Sequence, residues 1–485
     1  MKSPAQPPTH PGLIRALGPV MATAVVVGTV IGSGIFKKPQ SVAEAVPYFG
    51  VAILVWVLGG VLALLGALAY GEVAVLLPRA GGNYVFLREA YGRMAGFLWG
   101  WVEFWIIRSA SIAALATLFV ESLSTLVADP GLQRHLGLPQ GSALGFWAQQ
   151  WVTVLILAVL AGVNVLGVRW GGLLQLVITL IKVASLIGIA ILPFVVEGEG
   201  PAGPDLARMR PVWPDNWGAV KLGGVATAFL GVLWTYHGWM NVAPVAEEVR
   251  RPQRNIPLAL LAGVGMLIAL YVAANVAYYL VLPRAEMAGL KAPVATVFFQ
   301  RLLGPAGLAL AAAAMLFSTF GALNGNLLVG PRVLYAMGED GLAPRALGAV
   351  QPRFHTPAWA ILALGAWSAG LVVGVAALTQ LGWLADTKST FDRLTDYAMF
   401  GAVIFETLAV ESIFVFRRRW PNAPRPYRCP AYPLVPALYV LLPAFILVNM
   451  FRNQRAEALA GLGFIVVGAA VYLALGLGRV KAKDA

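Results

Sequence analysis

Apolar runs of about 20 residues recur from one end of this chain to the other, separated by short segments rich in Arg, Pro and Gly. Each run is long enough to cross the hydrocarbon core of a bilayer as a helix. Hydropathy and length predict about twelve such spans. The first five are Pro19–Phe36 with an amphipathic continuation, Val51–Leu77, Met94–Leu126, Phe146–Leu166 and Gly171–Val196. The next five are Leu222–Val245, Ile256–Leu282, Leu308–Met337, Pro357–Leu378 and Leu394–Phe416. Two more follow at Leu434–Met450 and Ala458–Leu477.

Two of these stretches interrupt their own pattern. The first is Val27-Gly28-Thr29-Val30-Ile31-Gly32-Ser33-Gly34-Ile35-Phe36, and the second runs from Trp234-Thr235-Tyr236-His237-Gly238-Trp239 to Pro244. Glycine weakens a helix, and proline removes a donor and clashes with the preceding turn. Irregular backbone at membrane depth is tolerated only where protein encloses it or it lines a cavity. The two breaks open spans one and six. The chain therefore divides into repeats of similar length, about 14–196 and 218–416, with two extra helices at about 430–478. Paired breaks of this kind point to a binding site at the midplane of an inverted-repeat transporter. Gly28-x-x-x-Gly32 alone also reads as a helix-packing face.

Composition removes most other readings. Of 485 residues, 59% are hydrophobic and only 12% charged, so a polytopic, all-α membrane protein with no sizeable soluble domain is expected. The formal net charge of +13 sits in short loops between spans, a topology signal rather than a nucleic-acid patch. Basic residues such as Arg250, Arg251, Arg254, Arg417, Arg418 and Arg419 place both termini in the cytoplasm of a multi-pass cell-membrane protein. The N-terminal tail, Met1 to Leu13, has no signal-peptide core, so the first span serves as an uncleaved insertion signal. The longest outer loops, Val127–Gly145 and Glu197–Gly218, read as covers rather than domains. A single cysteine, Cys429, excludes an internal disulfide. No His/Cys/Asp/Glu cluster has metal-ligand spacing and no nucleophile motif is present, so neither a cofactor nor an enzyme is expected.

The breaks carry chemistry of their own. The half-helix beyond a break offers free N–H groups and a positive dipole end, here from Ser33, Gly34 and Ile35, which suits a carboxylate. The half-helix before a break offers carbonyls, near Ile31 in the first span and near Trp234 and Thr235 in the sixth, which suit an ammonium. A site with both ends fits an α-amino acid. Lys182, in the middle of span five, lies too deep to snorkel and must face the interior. It reads as a built-in cation, a proton carrier or a structural pin. Glu103 and Arg108 in span three stand five residues apart, so each is expected to pair with another span. Glu406 in span ten has the position to line a cavity. His237 is the one histidine within a span.

Six segments together resemble the amino acid–polyamine–organocation superfamily, in its L-type amino acid transporter-like branch and bacterial relatives. They are VGTVIGSGIF at Val27–Phe36, YGEVAVLLPRAGGNYVFLREAYG at Tyr70–Gly92 and WVEFWIIRSAS at Trp101–Ser111. The others are LWTYHGWMNVAPVAEEVRRPQRNIP at Leu233–Pro257, STFGALNGNLLVGPRVLYAMGEDGLAP at Ser318–Pro344 and RPYRCPAYPLVPALYV at Arg425–Val440. The resemblance implies a twelve-helix, 5+5 inverted-repeat fold of the leucine-transporter type, working by alternating access. It implies that Ile31, Gly32, Ser33, Gly34 and Ile35 hold the substrate carboxylate and backbone. Trp234, Thr235 and His237 then supply the ammonium-side carbonyls and the side-chain pocket, with Trp234 as a gate. Lys182 takes the place of a sodium ion and links span one to span eight through Ser318.

These expectations describe a sodium-independent exchanger or proton-coupled symporter of neutral amino acids, partnered by lipid and substrate. A cationic amino acid or polyamine exchanger is the alternative, and a non-transporting amino acid receptor a more distant one. His237 stands where several relatives have Gly or Asp. The outer loop between spans three and four lacks the cysteine that binds a heavy chain in animal relatives, so no disulfide-linked heavy chain is expected.

Overall fold

The computed structural model describes residues 12–128, 133–134, 144–196, 203–290, 292–384, 387–453 and 455–478. Most of the N-terminal tail, most of the loop Val127–Gly145, residues 197–202 and the basic residues Arg479, Lys481 and Lys483 lie outside them. Among the described residues the architecture is helical throughout, apart from two isolated β-bridges.

In chain order the helices are α1 (Pro19–Val30), α2 (Gly34–Ala45), α3 (Phe49–Leu76), α4 (Asn83–Tyr91) and α5 (Arg93–Val102). There follow α6 (Ser109–Val127), α7 (Phe146–Val165), α8 (Val168–Val195), α9 (Leu222–Tyr236), α10 (Pro252–Val281) and α11 (Val294–Leu303). The remainder are α12 (Pro305–Val329), α13 (Pro331–Glu339), α14 (Ala358–Gln380), α15 (Thr387–Arg419), α16 (Leu434–Asn453) and α17 (Arg455–Ala474), besides a five-residue helix, Arg284–Ala288, between α10 and α11. Eight described helical stretches are long and apolar enough to cross a membrane, or nine if the bent pair α1 and α2 counts as one span. Helix α9 stops after 15 residues, short of a full crossing.

Burial sorts these helices by position. Helix α1 is buried on all sides from Ala24 to Val30, packed against α8, α10 and α12. A helix that is apolar all round belongs in the interior. By contrast, Trp151, Leu155 and Val159 stand exposed along α7, the expected condition of a lipid-facing surface.

Glycine decides how closely α1 and α8 approach. A Cβ on Gly28 would lie 2.1 Å from Thr179 Oγ1 and 2.3 Å from Gln175 Nε2. Thr179 in turn donates to the Ala24 carbonyl at 3.1 Å. Gly28 is therefore a packing glycine. Gly32 is different, because a Cβ there meets only the Val30 carbonyl, at 3.9 Å.

One expectation is corrected here. Glu103 and Arg108 do not reach to separate spans for their ionic partners; they pair with each other, with Arg108 Nε 2.7 Å from Glu103 Oε1. The segment Glu103–Arg108 is a π-helix joining α5 to α6. Its i→i+5 winding brings residues five apart onto one face, which the α-helical spacing assumed from sequence does not.

Candidate functional site

Both breaks are present, and they face each other. Helix α1 ends at Val30, Ile31 adopts an extended conformation, and α2 restarts at Gly34 with a bend of 44°. Helix α9 ends at Tyr236, His237 is extended, and Gly238 takes φ +100°, a left-handed value that glycine alone adopts without strain. A 3-10 turn over Trp239–Val242 follows. A Cβ on Gly34 would lie 2.9 Å from Thr235 Oγ1 and 3.2 Å from Thr235 Cα, so the second half of one broken helix rests directly on the end of the other.

The N–H groups of Ser33, Gly34 and Ile35 precede the first helical bond of α2, which runs from Phe36 N–H to the Ser33 carbonyl at 3.3 Å. Three donors therefore emerge at the positive end of a helix. The carbonyl ends are more heavily committed. Lys182 Nζ donates to the carbonyls of Gly28 at 2.7 Å and Ile31 at 2.6 Å. Ser318 Oγ donates to Ile31 at 3.3 Å and Gly32 at 3.1 Å. Lys182 and Ser318 thus converge on the Ile31 carbonyl, one from α8 and the other from α12. Tyr271 of α10 donates to the carbonyls of Val30 and Thr235, each at 3.3 Å, and so touches the last turn of both helices before their breaks.

A cavity of about 1790 Å³ lies against these elements. Gly32, Ser33 and Gly34 line it from the first break, and Trp234, Thr235, His237 and Gly238 from the second. Of the residues expected at a substrate site, Ile31 and Ile35 have buried side chains and do not line the cavity. Lys182 and Ser318 sit behind α1, fully buried.

The cavity reaches Lys38, Glu121, Gln149 and Gly223, none of them buried. The end opposite these residues is closed in layers. Tyr70 donates to Asn83 Oδ1 at 2.5 Å, and Gly81 N–H to the Pro244 carbonyl at 3.1 Å. Beyond them Arg332 forms a two-bonded pair with Glu248, at 2.9 and 3.0 Å, with both side chains essentially unexposed. Glu248 also offers its carbonyl to Leu17 N–H at 2.9 Å, and Arg250 N–H returns a bond to Leu17 at 2.8 Å.

The floor of the cavity is ionic. His237 Nε2 lies 2.9 Å from Glu406 Oε1 on α15, and the imidazole stacks on Trp234 with 6.2 Å between centroids. Beside it, Arg108 bonds Glu103, Asn326 Oδ1 at 2.5 Å and Asn241 Oδ1 at 3.2 Å. Sequence reading missed Asn241, Asn326 and Tyr271 altogether. The available signal was polarity inside apolar spans, which marks interior faces without naming their partners.

The chain matches the amino acid permease family over residues 17–475. It is 30% identical over 475 residues to the serine/threonine exchanger SteT of Bacillus subtilis, covering 97% of this chain and 99% of that one. It is 29% identical to the human b(0,+)-type amino acid transporter 1, covering 96% of this chain and 89% of the relative. It is also 30% identical to the mouse large neutral amino acids transporter small subunit 2, over 95% of this chain and 81% of the relative.

Proposed function

The chain belongs to the amino acid permease family of the amino acid–polyamine–organocation superfamily, a multi-pass membrane transporter of amino acids rather than an enzyme, and from that premise we propose a sodium-independent carrier of neutral L-amino acids working by alternating access. The observation that carries the reading is the contact of the two breaks at Gly34 and Thr235, beside one cavity. In this scheme the N–H groups of Ser33, Gly34 and Ile35 receive the substrate carboxylate, with Gly32 and Ile31 shaping the turn. The carbonyl ends at Trp234 and Thr235 receive the ammonium, and Trp234 closes over the bound molecule. The Ile31 carbonyl is held by Lys182 and Ser318 and so serves the fold of the break rather than the ammonium.

Lys182 makes sodium unnecessary in this scheme. Its ammonium sits between two carbonyls of α1, a fixed positive charge where a mobile cation would otherwise bind. Ser318 completes the link from α8 through α1 to α12. The whole chain acts as one transporter domain of twelve spans, with inverted repeats at about 14–196 and 218–416, the two extra helices beyond, both termini cytoplasmic and no disulfide-linked heavy chain. Neutral substrates are the reading because the second break, Trp234 to Pro244, holds no acidic residue of its own to meet a cationic side chain.

Purified protein in sodium-free liposomes is expected to take up labelled neutral amino acids, faster when the lumen holds unlabelled substrate. Competition by arginine or putrescine instead of alanine or leucine would favour the cationic alternative. Failure with every amino acid would overturn the reading.

A further inference from the structure

The charge on the ionic floor of the cavity depends on the protonation of His237. Glu103, Glu406 and Arg108 supply two carboxylates and one guanidinium within hydrogen-bonding reach of one another or of His237. With His237 neutral, one negative charge is left over, deep in a membrane-spanning bundle. Uncompensated charge at that depth is expensive and marks ion and proton pathways. Arg108 is committed to Glu103, Asn326 and Asn241, which leaves Glu406 as the carboxylate without a permanent cation. A second observation sharpens this. Glu103 Oε2 is buried without a hydrogen-bond partner and borders a cavity of about 20 Å³ shared with Tyr70, Arg108, Asn241 and Glu406. That is room for one water.

We propose that the His237–Glu406 pair is a proton site, loaded from the open cavity and carried through the transport cycle with the amino acid. The inference rests on the transport reading above and names its coupling ion. His237 is the C-cap of α9, at the break itself, while Glu406 stands on α15. Protonation turns the hydrogen bond between a neutral imidazole and a carboxylate into an ion pair with no net charge and so tightens the broken helix against α15. Among the described residues, the groups facing the pair are Glu103 and Arg108 from the π-helical segment, Tyr70 from α3 and Tyr439 from α16. Lys182 is not among them; it lies behind α1 and off the cavity wall.

The balance is simple. One proton leaves water in the open cavity, binds the pair, and returns to water at the opposite side once the cavity opens there. The substrate zwitterion carries no net charge, so each cycle moves one positive charge with the amino acid.

The test uses the full-length protein in sodium-free liposomes with labelled L-alanine and L-leucine, a pH-sensitive dye in the lumen and a clamped membrane potential. An imposed gradient, acid outside, is expected to raise accumulation at least tenfold above the gradient-free level. Unlabelled alanine is expected to acidify the lumen, and a lumen-negative potential to speed uptake. Glu406→Gln is expected to bring gradient-driven accumulation down to the gradient-free level. Glu411→Gln, which removes a carboxylate of the same helix that does not line the cavity, keeps the full gradient response. If Glu406→Gln cannot be purified folded, the gradient response and dye signal of the wild type decide the proposal by themselves. Uptake by the wild type with neither gradient response nor dye signal overturns the proton site and leaves transport standing. So does full gradient response in the folded Glu406→Gln variant. Absence of any amino acid uptake overturns the transport reading, and the proton site with it.

Discussion

Lys182 Nζ lies 2.6 Å from the carbonyl oxygen of Ile31, the residue at which α1 stops being helical. The bond joins a charge that must be satisfied to a carbonyl that has lost its helical donor. Each meets the need the other creates, and Gly28 adds a second acceptor at 2.7 Å. Hydrogen bonds to charged groups contribute about 1.5–3 kcal/mol each.

Lys182→Ala removes both bonds and is therefore expected to slow initial uptake by about tenfold or more, since about 1.4 kcal/mol is a factor of ten in rate. Rates measured with and without sodium check the assignment. Sodium-dependent rescue of the alanine variant would support a cation role, and a wild-type rate would leave Lys182 a structural pin.

The glycines of the first break separate in their expected effects. Gly34→Val drives a branched side chain into Thr235 and should abolish uptake while folded protein is still recovered. Gly32→Ala meets nothing closer than 3.9 Å and projects beside the cavity. It should preserve folding and raise the half-saturation concentration severalfold. Saturation curves of the two variants distinguish the clash from the encroachment.

The closed end of the cavity depends on a buried ion pair. Removing one partner leaves an uncompensated charge, and losses of about 3–5 kcal/mol are typical. Arg332→Met strands Glu248 in this way. Its thermal unfolding midpoint is expected to fall clearly, and Glu248→Gln combined with Arg332→Met should recover part of the loss.

Cys429 lies between α15 and α16, buried beside Glu72, which accepts a bond from its N–H at 2.7 Å. Burial, with the Glu72 charge adding to it, pushes the thiol up to about 11. The thiolate is the reactive form and is favoured as pH rises. Maleimide labelling should therefore be slow at pH 7 and accelerate about tenfold per pH unit until pH approaches about 11. A plateau near pH 9 would contradict this environment.

What the sequence disclosed and what it withheld follow the range of the interactions involved. Helix breaks are local, so the glycines around Ile31 and Gly238 announced them. The depth of Lys182 could be counted along its own span, and its need for an interior partner followed. The His237–Glu406 contact joins residues 169 apart, and nothing near either one names the other. The Glu103–Arg108 pair is local but failed for another reason. It depends on a π-helical winding that hydrophobic spacing does not reveal.

Tyr271 has a single hydroxyl hydrogen, and two carbonyls, from Val30 and Thr235, stand at equal distance from it. One donor shared between two acceptors couples their positions: if either broken helix shifts alone, the hydrogen goes wholly to the one that stays. Parting the helices thus strands a carbonyl, whereas moving them together strands neither. Tyr271→Phe should remove that preference, leaving a transporter that still binds its amino acid but exchanges it more slowly. The two halves would then move out of step.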